Sequence, residues 1–280
     1  MTKFNRPIRF VAMIVVLTAC DLSSAQVATR TPRDLALTRA PSAPSARFNA
    51  AYQRVEDHWE RVLFLCDGVD GHRIKLLTVP DKRALSMLWS YAKPGLRTRS
   101  ERVRIGDEDP GAGQIMREIR RTDGSVSGSV HSINPGILGN ESTTTLPTLS
   151  SITDGAETTR CRWMARARIM LVDARRSVVV TADPGGGYTY RSYDHARPGK
   201  VVEREGGATS VATVTAAGGR LVASGPKRET YEFRRGPWTY RVAASADDRA
   251  PGAALTVLRG GTVVQSSVAV AYQMAARRVD

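Results

Sequence analysis

Between Arg160 and Leu171 four arginines and Met164 alternate with apolar residues up to Arg168, and an apolar run follows. Successive side chains of a strand point to opposite faces. One face of an extended segment here would carry Arg160, Arg162, Met164, Arg166 and Arg168, the other Cys161, Trp163, Ala165, Ala167, Ile169 and Leu171. Guanidinium groups pair bidentately with phosphate and carboxylate oxygens. Arg160, Arg162, Arg166 and Arg168 are therefore the candidate anion-binding residues, unless Glu157, Asp173 or other acids lie opposite and neutralise them as a solvated structural face. Arg97, Arg99, Arg102 and Arg104 form a second dense group without a clear alternating pattern.

The remaining titratable residues offer less. Asp67, Asp70 and His72 surround Gly68 and Gly71, and Asp107, Glu108 and Asp109 lie between Gly106 and Pro110. Neither group has the spacing of a twelve-residue calcium loop, and aspartate with glycine is ordinary turn composition. The histidines are His58, His72, His131 and His195; His58 and His195 adjoin acids, but neighbours on a strand or helix diverge. No nucleophile elbow, paired-histidine zinc motif or Walker loop is present. Gly185-Gly186-Gly187 belongs to a hairpin and precedes no helix, so it is not a phosphate cradle. These residues imply no metal and no cofactor.

The chain opens with Lys3, Arg6 and Arg9, followed by an apolar run from Phe10 to Ala19. A run of about ten residues is too short to span a bilayer and has the length of a signal-peptide core. Leu17-Thr18-Ala19-Cys20 resembles the lipobox of bacterial lipoproteins. That resemblance implies that Cys20 is lipidated, becomes the mature N-terminus and holds the protein to the membrane. Ser23-Ser24-Ala25 offers a second outcome, ordinary cleavage before Gln26 and release of a soluble protein. Under either outcome Cys66 and Cys161 remain, and in an oxidising compartment they are expected to form one disulfide.

Residues 1–20 thus read as a signal segment (to 25 if cleaved before Gln26), and 21–47 as a flexible tether holding Pro32, Pro41 and Pro44. Phe48, Tyr52, Val55, Trp59 and Val62 recur at helical spacing and predict one amphipathic helix of about four turns. Short apolar runs then alternate with Gly, Pro and Asp. Gln114–Arg121 and Ser125–Ile133 flank the turn Thr122-Asp123-Gly124. From Thr159 onward, hairpins are expected at Asp183–Gly187, Ala216–Gly219, Arg235–Pro237 and Arg259–Thr262. The expected fold is mainly β: antiparallel sandwich or barrel modules with one N-terminal helix. Residues 48–155 would form a helix plus β module and 156–280 an antiparallel β module.

Lys and Arg number 41 against 27 Asp and Glu, a formal charge of +14. Such a balance favours polyanionic neighbours. Nucleic acid is disfavoured, because export removes it and no recognition motif accompanies the charge. The sequence thus points to a non-enzymatic, exported cell-envelope protein, membrane-attached through an N-terminal lipid or soluble in the periplasm. Its role would be that of a binding or scaffold module for an anionic envelope polymer or lipid head groups. The alternative is an envelope hydrolase with a carboxylate- or histidine-based site that no short motif reveals.

Overall fold

A computed structural model describes residues 49–70, 73–93, 95–133, 148–204, 207–225 and 227–275, all within one compact unit. The signal segment, the tether and Cys20 lie outside these residues. Apolar alternation between tight turns gives strands throughout, and every strand pair is antiparallel.

The first strand, β1 (Asn49–Val55), turns at Glu56–Asp57 into β2 (His58–Asp67). From β2 the chain meanders through β3 (Arg73–Thr78), β4 (Ser86–Ala92), β5 (Arg97–Ile105), β7 (Gln114–Arg121), β8 (Val126–Ile133), β9 (Leu149–Asp154) and β10 (Glu157–Arg160). The short β6 (Asp109–Gly111) pairs with β7. This meander curls until its end meets its beginning. The Val69 amide donates to the Arg160 carbonyl at 3.0 Å, and the Arg162 amide to the Asp67 carbonyl at 2.7 Å. Gly68 is needed at that seam, because a Cβ there would lie 2.5 Å from the Arg73 carbonyl oxygen and 2.9 Å from Thr159 Cγ2. The barrel is filled by Phe64, Cys66, Leu77, Leu88, Val103, Ile119, Val130, Ile152 and Cys161 from successive strands, as expected of a barrel of about eight strands. The Cys66–Cys161 disulfide, with Cα atoms 4.9 Å apart, fastens the same seam.

The second half forms two facing sheets. One contains β1, β21 (Ala271–Ala275), β11 (Ala167–Val172), β12 (Arg176–Ala182) and β13 (Tyr188–Asp194), in that order. The other runs β16 (Val214–Ser224), β17 (Arg228–Arg235), β18 (Trp238–Ser245), β19 (Gly252–Arg259), β20 (Thr262–Val268). Between them lie Tyr52, Ile169, Val180, Tyr190, Tyr231, Phe233, Tyr240, Leu255 and Tyr272. The aliphatic and phenylalanine side chains among them contribute about 1.5–3 kcal/mol each when fully buried. The hairpin β14 (Val201–Arg204) and β15 (Gly207–Ser210) stands apart from both sheets. The barrel's outer face packs Leu65, Ile74, Leu76 and Tyr91 against Ala51, Val172 and Ala271.

Three local expectations are corrected. Residues 49–67 form the β1–β2 hairpin, so the predicted helix from Phe48 to Val62 does not form; no helix occurs among the described residues. Its stripe is a strand whose two faces are both covered, Ala50 and Tyr52 toward one core and Ala51 toward another. The segment Arg160–Leu171 is not one strand but the end of β10, a turn, and β11. Finally, Ala216–Gly219 is not a hairpin turn. There β16 crosses from β13 to β17, and Gly219 lets the Phe233 ring lie where a Cβ would be.

Candidate functional site

The structure separates the four expected anion-binding arginines. Arg160 is exposed and ion-paired with Glu203. Arg162 is buried and bound to Asp67. Arg166 is exposed in the turn before β11, at φ 59°. Arg168 is buried, its Nη2 donating to Glu229 Oε1 at 3.3 Å and to the Ala275 carbonyl at 3.2 Å. No common face results, because the turn at Met164–Ala167 breaks the two-residue phase on which the alternation depended.

Arg162 belongs instead to a buried polar junction between the barrel and the β11–β13 sheet. Asp67 Oδ2 accepts from Arg162 Nε at 2.7 Å, while Oδ1 accepts from Lys93 Nζ. Arg162 Nη1 also donates to Ser210 Oγ at 2.8 Å, and its guanidinium carbon lies 3.6 Å from the Tyr193 ring centre. Burial alone would raise the Asp67 carboxyl, yet the Lys93 and Arg162 charges hold it well below the usual carboxylate range. Ser177 Oγ and His195 Nε2 meet nearby at 3.0 Å. Burial and the Lys93 charge depress the imidazole to about 4. Ser177 has no exposed surface, so in this structure the pair ties β12 to the end of β13 and offers no substrate access.

The exposed chemistry lies on the outer face of the β16–β20 sheet. Tyr231 and Phe233 point into the core, so Arg228, Thr230, Glu232 and Arg234 of β17 face outward. Register places Arg220, Glu232, Arg241, Thr256 and Ser266 in one row across five strands. Three arginines converge on one carboxylate. Glu232 Oε2 accepts from Arg241 Nε at 2.9 Å; Oε1 accepts from Arg220 Nη2 at 3.3 Å and Arg234 Nη2 at 3.4 Å. Glu232 is only 6 % exposed, whereas the Arg220, Arg234 and Arg241 side chains are 70, 73 and 49 % exposed. The Arg241 hydrogen bond, working against burial and aided by Arg220, lowers the Glu232 carboxyl.

At the start of β17 the same sheet opens into a cleft of about 570 Å³ lined by Lys227, Arg228, Ser245, Asp247 and Arg249. Lys227 Nζ lies 3.3 Å from Asp247 Oδ1, and Arg228 makes no ion pair with a described residue. Strands rise about 3.4 Å per residue, so Arg228 and Arg234 lie roughly 20 Å apart along one basic strip. The strip combines Lys227, Arg228, Arg249, Arg220, Arg234 and Arg241 with two carboxylates, Glu232 and Asp247. In the sequence the Tyr231/Phe233 alternation puts Glu232 and Arg234 on one face, but only strand register brings Arg220 and Arg241 to them. Among the described residues no group of three or more His, Cys, Asp and Glu side chains could hold a metal ion. The architecture is thus a closed barrel joined to a two-sheet sandwich with a cationic outer face. No known protein family, curated protein or solved structure matches the chain.

Proposed function

We propose that this protein is a non-enzymatic binding module of the bacterial cell envelope that engages an anionic component through the outer face of β16–β20. The observation that carries this reading is the basic strip, in which six cations share one open surface with two carboxylates. Exposed charges attract polyanions and are screened within about 8 Å at physiological ionic strength, so binding would be steeply salt-dependent. The Cys66–Cys161 disulfide supports an oxidising compartment, in keeping with the signal segment. Cys20 would carry the lipid that places the protein on the periplasmic side of a membrane; cleavage before Gln26 would leave it soluble.

Binding is tested by titrating the mature protein with polyglutamate and with phosphatidylglycerol vesicles over a range of salt. Lys227→Gln together with Arg249→Gln should weaken both interactions without altering the melting temperature. Absence of binding at low ionic strength would overturn the reading. Attachment is tested separately: mass spectrometry should find a lipidated Cys20 at the mature N-terminus, and Cys20→Ser should move the protein out of the membrane fraction.

A further inference from the structure

We infer that Arg220, Arg234 and Arg241 form a seat for a phosphomonoester group, with Glu232 as the internal anchor that holds the three guanidiniums in place. This rests on the polyanion reading and specifies the chemistry it recognises. The three arginines bring three positive charges and Glu232 removes one. The surplus of two matches the charge of about −1.5 to −2 on a phosphomonoester at pH 7. A carboxylate or phosphodiester supplies only one negative charge and would leave the seat unbalanced.

The geometry agrees with the charge count. Each arginine uses one nitrogen on Glu232: Nε of Arg241, Nη2 of Arg220, Nη2 of Arg234. A guanidinium has five N–H donors in a fixed fork, so each retains others for a ligand. Glu232 lies beneath them, almost fully covered, while the guanidiniums stand in solvent. Arg241 is held most closely, at 2.9 Å. The floor between the arginines and β20 is made of the small side chains Thr256 and Ser266, which share their row. A tetrahedral group would meet the small hydroxyl side chains of this row. Its several oxygens can each accept from a different arginine.

The ligand's own titration supplies a signature. A phosphomonoester loses its second charge near about pH 6, while a phosphodiester does not titrate there. Glu232 stays ionised through this range because its arginines lower its carboxyl. Affinity for the monoester should therefore fall between pH 7 and 5, and affinity for a diester should not.

The test compares three probes on the mature protein: glycerol phosphate, phosphatidylcholine vesicles containing phosphatidic acid, and vesicles matched in charge with phosphatidylglycerol. The seat predicts preference for the two phosphomonoesters, with glycerol phosphate competing against the phosphatidic acid vesicles. Binding of glycerol phosphate alone supports the seat and assigns it a soluble ligand. Arg241→Gln should weaken monoester binding at least about tenfold, the loss of one charge-assisted contact, and should shrink the preference for the monoester over the diester at pH 7, because the seat then carries a smaller surplus charge. Arg234→Gln, at the longest and most exposed of the three contacts, provides a second variant that should fold normally. Equal binding of all anions, charge for charge, would overturn the seat and leave polyanion binding standing. Absence of binding to all three probes at low salt would overturn the seat, and would overturn the polyanion reading as well if polyglutamate also failed to bind.

Discussion

Asp67 and Arg162 meet across 95 positions of chain, Nε to Oδ2 at 2.7 Å, where the barrel seam touches the β11–β13 sheet. Both are buried, and Lys93 occupies the other Asp67 oxygen. Removing one partner of a buried pair strands the other charge in a poorly solvating interior. Because Lys93 still neutralises Asp67 when Arg162 is replaced, Arg162→Gln escapes that full penalty and is expected to cost about 1.5–3 kcal/mol, the loss of a hydrogen bond to a charged group, measured by urea denaturation. The double variant with Asp67→Asn should lose less than the sum of the two single losses. Additive losses would mean that the pair is not coupled.

Stability should depend on pH through His195. Burial, with the Lys93 charge, holds the folded imidazole near about 4, while the unfolded chain takes up its proton near about 6.5. Between these values the unfolded state binds more protons, so stability falls as pH drops from about 6.5 to about 4. The full loss is on the order of 3 kcal/mol. His195→Gln should flatten the melting-temperature profile over that interval. An unchanged slope in the variant would assign the effect elsewhere.

The Cys66–Cys161 disulfide closes a loop of 95 positions at the barrel seam. By the chain-entropy argument it contributes up to about 4 to 5 kcal/mol. The double Cys66→Ser, Cys161→Ser variant should unfold at markedly lower urea, and reductant should destabilise the parent but not the variant.

At the crossing of β16, a Cβ on Gly219 would lie 2.1 Å from Phe233 Cδ1. Gly219→Ala is therefore expected to cost roughly 1–3 kcal/mol by overpacking and to alter the near-ultraviolet circular dichroism of the packed aromatics. Gly186→Ala is the comparison for conformation without crowding, since Gly186 has positive φ but no atom within 4 Å of its would-be Cβ.

What the sequence made legible was local. The turns at Thr122–Gly124, Asp183–Gly187, Arg235–Pro237 and Arg259–Thr262 all join adjacent antiparallel strands, because Gly, Pro and Asp dictate backbone shape wherever they stand. The β1–β2 turn was missed because Glu56 adopts a positive φ of 52° without glycine or asparagine to announce it. The strand character of Tyr52 depends on Tyr272, its register partner from the other end of the chain. The same asymmetry separates the two arginine groups. Around Arg160–Arg168 the visible pattern was interrupted by a turn, whereas Arg220, Glu232 and Arg241 are a row only after three strands align.

The place of β21 bears on how the molecule is made. Its five buried residues sit between β1 and β11, with Asn49 paired to Ala275. Synthesis proceeds from the N-terminus, so the barrel ladder from β2 to β10 can close once Arg162 has emerged. The first described strand must wait for the last. Until then β1 and β11 present unpaired edges, the kind that recruit strands from other chains. Such long-range pairing slows folding. A chain cut short before Ala271 would retain a finished barrel beside two apolar edges, a form suited to aggregation or capture by proteases.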